Sequence, residues 1–172
     1  DIPGNVTVIN RMIAAAAEQR IAHAQMFVGP PGSGKLMLAL AYAQFINCQN
    51  KQTNPSGKGL AADSCGECPS CRKFASMEHP DLQFLFPVVN LDDRQLRRDF
   101  SRLQYKNHEA KIKVIIIWMA EKIQYAAAPK ILKTLEEPSD NTLFLLIAEN
   151  HDLILPTILS RVRNIRIEAP SS

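Results

Sequence analysis

The stretch from Ala24 to Ile46 constrains this chain more than any other. Ala24 to Val28 reads as a short apolar strand and runs directly into Gly29-Pro30-Pro31-Gly32-Ser33-Gly34-Lys35. From Leu36 to Ile46 the pattern turns helical, with Leu38, Leu40, Ala41 and Phe45 at helical spacing. A strand, a glycine loop and a helix in this order make a phosphate cradle. Backbone N–H groups wrap the anion, and the helix N-terminus adds its dipole. A plain Gly/Pro turn is the simpler alternative, but it does not require a strand before it and a helix after it. Gly29-x4-Gly34-Lys35 fits the phosphate-loop pattern up to its last position. There a Ser or Thr hydroxyl would hold Mg²⁺, and this chain has Leu36, which offers no oxygen.

The rest of the chain extends the same architecture. Helices are expected over Thr7–Ile21, Cys71–Ser76, Asp92–Gln104, Pro129–Glu136 and Leu155–Arg161. Strands are expected over Leu82–Val88, Val114–Trp118, Thr142–Ala148 and Val162–Ile167, and Asn50–Asp63 as an exposed loop. Strands alternating with helices imply an α/β fold, a five-stranded parallel sheet between helices. With 172 residues, 46% of them apolar, the chain suits one domain with a substantial core. No run of eighteen apolar residues occurs, so no membrane span is expected. Asp1-Ile2-Pro3-Gly4 has neither a basic leader nor an apolar signal core, and a cytoplasmic location is expected.

A net charge of +3 is too small to imply nucleic-acid binding by itself. The basic residues Arg94, Arg97, Arg98, Arg102, Lys106, Lys111 and Lys113 are interrupted by Asp92, Asp93, Asp99 and Glu109. That pattern reads as a solvated helix face.

ATP hydrolysis in such a loop needs acids at the end of a neighbouring strand, to secure Mg²⁺ and polarise water. The matching strand, Lys113-Val114-Ile115-Ile116-Ile117, ends in Trp118-Met119. An indole and a thioether do neither job, and Glu121, past the strand end, cannot fill both roles. With Leu36, two independent metal-holding positions are apolar.

Cys65-x2-Cys68-x2-Cys71, with Cys48 at the end of a helix upstream, offers four thiolates that can surround one tetrahedral Zn²⁺. Two disulfides are one alternative, and an iron–sulfur cluster is another, since Cys68-Pro69 and the spacings echo a ferredoxin run. His79-Pro80-Asp81 reads as a turn before a strand. His23, His108 and His151 show no ligand spacing, and Glu136-Glu137 before Pro138 suits structure or subunit contacts better than catalysis.

Three segments carry a family resemblance. Arg20-Ile21-Ala22-His23-Ala24-Gln25-Met26-Phe27, Leu132-Lys133-Thr134-Leu135-Glu136-Glu137-Pro138 and Pro156-Thr157-Ile158-Leu159-Ser160-Arg161 resemble the DNA polymerase III clamp-loader subunits, gamma/tau and delta-prime. The resemblance implies a P-loop AAA+ core over residues 1–172, with a four-cysteine zinc module (Cys48, Cys65, Cys68, Cys71) inserted at 47–76. A lid and a collar domain, usual in the family, are expected to lie outside this chain. Gamma/tau subunits hydrolyse ATP, whereas delta-prime subunits serve as stators. Leu36, Trp118 and Met119 place the chain on the delta-prime side. Gly29, Gly32, Gly34 and Lys35 would then be a degenerate loop, binding ATP or ADP weakly or not at all and without Mg²⁺. Arg161 would act as an arginine finger in a neighbouring subunit's ATP site; without the resemblance it would read as a surface arginine after a helix. The implied partners are the gamma/tau and delta subunits and, through the assembled complex, the sliding clamp and primed DNA. The chain departs from the family at Pro129, at Ala148-Glu149-Asn150 in place of threonines, and at Val162 in place of cysteine.

Overall fold

Strands apolar at nearly every position must be covered on both faces, and the central strands Ala24–Val28, Lys113–Trp118 and Thr142–Ala148 are built that way, with Gln25, Lys113 and Thr142 as their buried polar residues. The computed structural model describes residues 5–18, 20–54, 56, 60, 62–85, 111–123, 128–137 and 141–168. The expected helix at Asp92–Gln104, the basic residues 94–106, the end of the strand expected to reach Val88, His108 and Pro138 lie outside them.

The described elements are α1 (Val6–Ala17), β1 (Ala24–Val28), α2 (Lys35–Asn47), β2 (Gln52–Thr53), β3 (Ala62–Asp63), α3 (Pro69–Ala75), β4 (Leu82–Leu85) and β5 (Lys113–Trp118). They continue with α4 (Ala128–Glu136), β6 (Thr142–Ala148), α5 (Pro156–Leu159) and β7 (Arg163–Arg166). The main sheet has five strands in the order β4-β5-β6-β1-β7, and every neighbouring pair is parallel.

Side-chain alternation along the strands builds two cores. Val114, Ile116, Leu143, Leu145, Ile147 and Phe27 face Leu38, Tyr42, Phe45 and Phe74 from α2 and α3. Ile115, Ile117, Phe144, Leu146 and Met26 face Ile131 and Leu135 of α4 and Ile158 of α5. Each fully buried Ile or Leu contributes about 1.5–3 kcal/mol. No described helix is long and apolar enough to cross a membrane.

Several boundaries differ from the sequence expectation, and three of the differences have a local reason. Helix α1 stops at Ala17 because the Arg20 N–H returns to the Ala15 carbonyl at 2.8 Å, releasing the next residues toward β1. Helix α3 begins at Pro69, not Cys71, because the Cys68 sulfur caps it by accepting from the Cys71 N–H and Pro69 fills the first turn. The stretch expected as a loop contains a minimal antiparallel pair, Gln52 with Asp63 and Thr53 with Ala62.

His79 and Asp81 do form a turn, yet both are buried. The imidazole stacks on Phe74 with centroids 4.2 Å apart, and its Nδ1 accepts from the Asp81 N–H at 3.0 Å. Lys113 is buried too, and burial lowers its pKa against the opposing pull of Asp81.

Candidate functional site: an altered phosphate loop, a sulfur cluster and an anchored arginine

The glycine loop leaves β1 at the carboxyl end of the sheet, where β1 lies between β6 and β7. This is the crevice in which open α/β sheets bind ligands. Gly32 and Gly34 have φ of 81° and 80°, a region that side-chain-bearing residues seldom adopt. A Cβ on Gly29 would stand 2.4 Å from the Ile167 carbonyl oxygen, so only glycine lets the loop pass β7's exit. Helix α2 opens on a cation, Lys35, with no acid in its first turn. That arrangement is unfavourable for an isolated helix and suits an anion placed at its N-terminus.

Lys35 is nevertheless engaged within its own chain. Its Nζ donates to the Pro30 carbonyl at 3.0 Å. Burial lowers its pKa, and the carboxylates of Glu149 and Glu121 partly offset the shift. Leu36 packs against the apolar core beside α2. At the end of β5, Trp118 also packs on that core, and Met119 turns the chain with φ 63°. Glu121 lies in the single turn Ala120–Lys122, past the strand end as the sequence suggested. Its Oε2 accepts from the Glu149 and Asn150 N–H groups at 2.7 and 3.2 Å, so the carboxylate caps the end of β6. Glu121 Oε1 and Ser33 Oγ are buried with no hydrogen-bond partner among the described residues. Leu36 after the loop, and Trp118 and Met119 at the end of β5, thus offer no side-chain oxygen there.

At the other end of α2, the four cysteines come together as expected. All four sulfurs lie within 4.8 Å of one another, and Cys65 and Cys71 are 3.9 Å apart. Four ligands at the Zn–S distance of about 2.3 Å would be separated by about 3.8 Å along a tetrahedral edge. Cys48 caps α2, and the small β2–β3 pair returns the chain so that the Cys65 N–H reaches the Cys48 sulfur at 3.3 Å. Further N–H donors from Asn50, Glu67, Cys68 and Cys71 point at the sulfurs of Cys48, Cys65 and Cys68, at 3.3 to 3.5 Å. Burial pushes the Cys68 thiol up, but the Gln49 and Cys71 N–H groups outweigh it and hold it down at about 6. Cys71 is pushed up to about 12, by burial and then by the neighbouring sulfurs. Each thiolate added to such a cluster makes the next costlier, a cost that a dication in their midst removes. The cluster can hold a metal ion.

Arg161 stands at the opposite end of the sheet from the loop. β7 runs parallel to β1, with Arg163 beside Gln25 and Arg166 beside Val28, and Arg161 precedes it. A strand's length of about 13 Å separates the two ends. The Arg161 Nε donates to Glu136 at the end of α4, and Nη1 donates to the Thr157 carbonyl at 2.8 Å and to Ser160 Oγ at 3.0 Å. Ser160 Oγ itself donates to the Thr157 carbonyl at 3.0 Å.

Two of the scattered histidines, His23 and His151, lie among the described residues, far apart in the chain. His23 Nε2 meets the Leu135 carbonyl at 2.9 Å, and exposed His151 lies beside Asp152. Sequence reasoning missed the partners of Glu121 and Glu136, because both join residues far apart in the chain.

The parallel strand order and the glycine loop at its switch point define an α/β domain with a phosphate-loop turn after β1. The RuvB Holliday junction branch migration motor of Thermotoga maritima shares the fold at a TM-score of 0.53 and 15% identity, over 97% of this chain and 43% of that one. A DNA polymerase III gamma subunit-related protein of the same organism gives 0.53 and 16%, over 93% and 46%. The chain belongs to the DNA polymerase III delta subunit family, whose model matches residues 4–171, and is of the delta-prime type. It is 30% identical to subunit delta' of Bacillus subtilis over 162 residues, 92% of this chain and 46% of that protein. Identity with subunit delta' of Pseudomonas aeruginosa is 37% over 145 residues, 81% and 41% of the two chains. The tau/gamma subunit of Haemophilus influenzae is 28% identical over 169 residues, 98% of this chain and 23% of that protein. The chain spans less than half the length of these curated relatives.

Proposed function

We propose that this chain is the AAA+ core of a clamp-loader subunit that does not hydrolyse ATP itself and lends Arg161 to a neighbouring subunit that does. The observation that carries the reading is the condition of the loop. Lys35 bonds Pro30, Leu36 faces the core, and β5 ends in Trp118 and Met119 where Mg²⁺ would need oxygens. In this reading Gly29, Gly32, Gly34 and Lys35 hold ATP or ADP weakly or not at all. Arg161 would stabilise charge on a transferring phosphoryl group in trans, a contribution of roughly 10³ to 10⁵ in rate. Its position a sheet's length from its own loop suits action on a neighbour.

The partners are other clamp-loader subunits of the gamma/tau and delta kinds and, through the assembly, the sliding clamp and primed DNA. The insert at 47–76 is a structural zinc module. The spacing of its sulfurs supports one ion, since the ligands of a cubane would each reach a different iron. A second reading, an ATP-hydrolysing motor, is favoured by the match to a tau/gamma subunit over nearly the whole chain.

Calorimetric titration with ATP, with and without Mg²⁺, separates the two. Weak binding indifferent to Mg²⁺ is expected. Micromolar binding strengthened by Mg²⁺ would favour the motor.

A further inference from the structure

We infer that Glu136 is a positioning residue for Arg161, holding its guanidinium so that one fork of N–H groups is left for a phosphate outside the chain. The inference rests on the reading of Arg161 as a finger acting in trans. A guanidinium has five N–H donors in a fixed plane. In Arg161 three are used internally: Nε on Glu136, and Nη1 on both the Thr157 carbonyl and Ser160 Oγ. Nη2 makes no hydrogen bond among the described residues, and the side chain is 36% exposed. A flexible arginine loses much rotamer freedom when it orders on a phosphate. Here that ordering is done before any phosphate arrives, which is how a positioned charge acts most strongly on a transition state.

Three features separate this from an ordinary surface ion pair. The carboxylate meets Nε, the donor nearest the stem, and so sets the plane of the group rather than its tip. Two further acceptors, from α5 and the residue after it, hold the same plane from another element. Glu136 also closes α4, where an acid opposes the helix dipole, so local helix energetics do not account for it. A residue that breaks a local rule is placed for a longer-range contact.

The test uses the assembled loader and its steady-state ATPase, with Glu136→Ala, Glu136→Gln, Arg161→Ala and the double variant Glu136→Ala/Arg161→Ala. Glu136→Ala is expected to lower kcat on the order of 10- to 100-fold with KM for ATP little changed, as a misplaced catalytic group does. Glu136→Gln, whose carbonyl still accepts from Nε, should recover most of the rate. The double variant should be no slower than Arg161→Ala alone, because the two residues act as one unit. Full activity in Glu136→Ala while Arg161→Ala is inactive would overturn the positioning role and leave the finger standing. Additive losses, or a Glu136→Gln variant as slow as Glu136→Ala, would overturn it as well. An unaffected Arg161→Ala would remove the finger reading itself, and the role of Glu136 with it.

Discussion

At the carboxyl ends of the strands, a cradle shaped for phosphate has spent its lysine on its own backbone. At the amino ends, an arginine is held by three neighbours and still has, among the described residues, a fork without a partner. Lys35 is buried and bonds Pro30, whereas Arg161 is partly exposed and keeps Nη2 unused among the described residues. The contrast shows that a buried cation must be satisfied wherever the chain can satisfy it. The glycine loop does so internally, through the Pro30 carbonyl. A surface guanidinium anchored at its stem can remain available at its tip.

The largest effect should come from the amino end. Arg161→Ala is expected to cost the assembled loader roughly 10³-fold or more in kcat, read by steady-state ATPase. A loss of less than about threefold would erase the contrast between the two ends.

Next comes metal removal at the far end of α2. Chelation, or Cys71→Ser, should cost several kcal/mol and lower Tm by roughly 10 °C or more. Amide exchange should show protection lost around α3 while β1 and β6 keep theirs. A chelator that leaves Tm unchanged would argue against any structural metal.

At the loop itself, Gly29→Ala sets a Cβ against the Ile167 carbonyl oxygen, 2.4 Å away, which lies on backbone and cannot yield cheaply. A cost of about 1–3 kcal/mol is expected, with Tm falling by roughly 5 °C. An unchanged Tm would mean the loop's shape is not fixed by β7. The smallest effect is predicted for Leu36→Thr. Restoring one hydroxyl should leave ATP binding indifferent to Mg²⁺ in titration, because Trp118 and Met119 still offer no oxygen. Strong Mg²⁺-dependent binding in that variant would show that the loop lacks only one ligand.

How much of this was legible in the chain differs from element to element. β1 and β6 were readable to the residue, because strands buried on both faces are largely apolar, Gln25 and Thr142 apart, and end where Gly29 and Glu149 begin. Helix starts were less legible: α3 begins two residues early because a cysteine sulfur caps it, a signal that depends on what the sulfur meets. The tiny β2–β3 pair was unreadable, since two exposed residues per strand carry no periodicity.

By itself the sequence determined the glycine loop between a strand and a helix, the absence of side-chain oxygens at Leu36, Trp118 and Met119, the four cysteines and the alternation of strands with helices. Each of these is a local pattern, fixed by spacing along a few residues. Only the tertiary structure decided that Lys35 turns onto Pro30, that Glu121 caps β6, that Cys48 meets Cys65, and that Glu136 grips Arg161 across 25 positions. Those contacts are set by which ends of parallel strands and helices fall side by side. Short-range periodicity holds no record of that, because the burial that drives the packing has no direction along the chain.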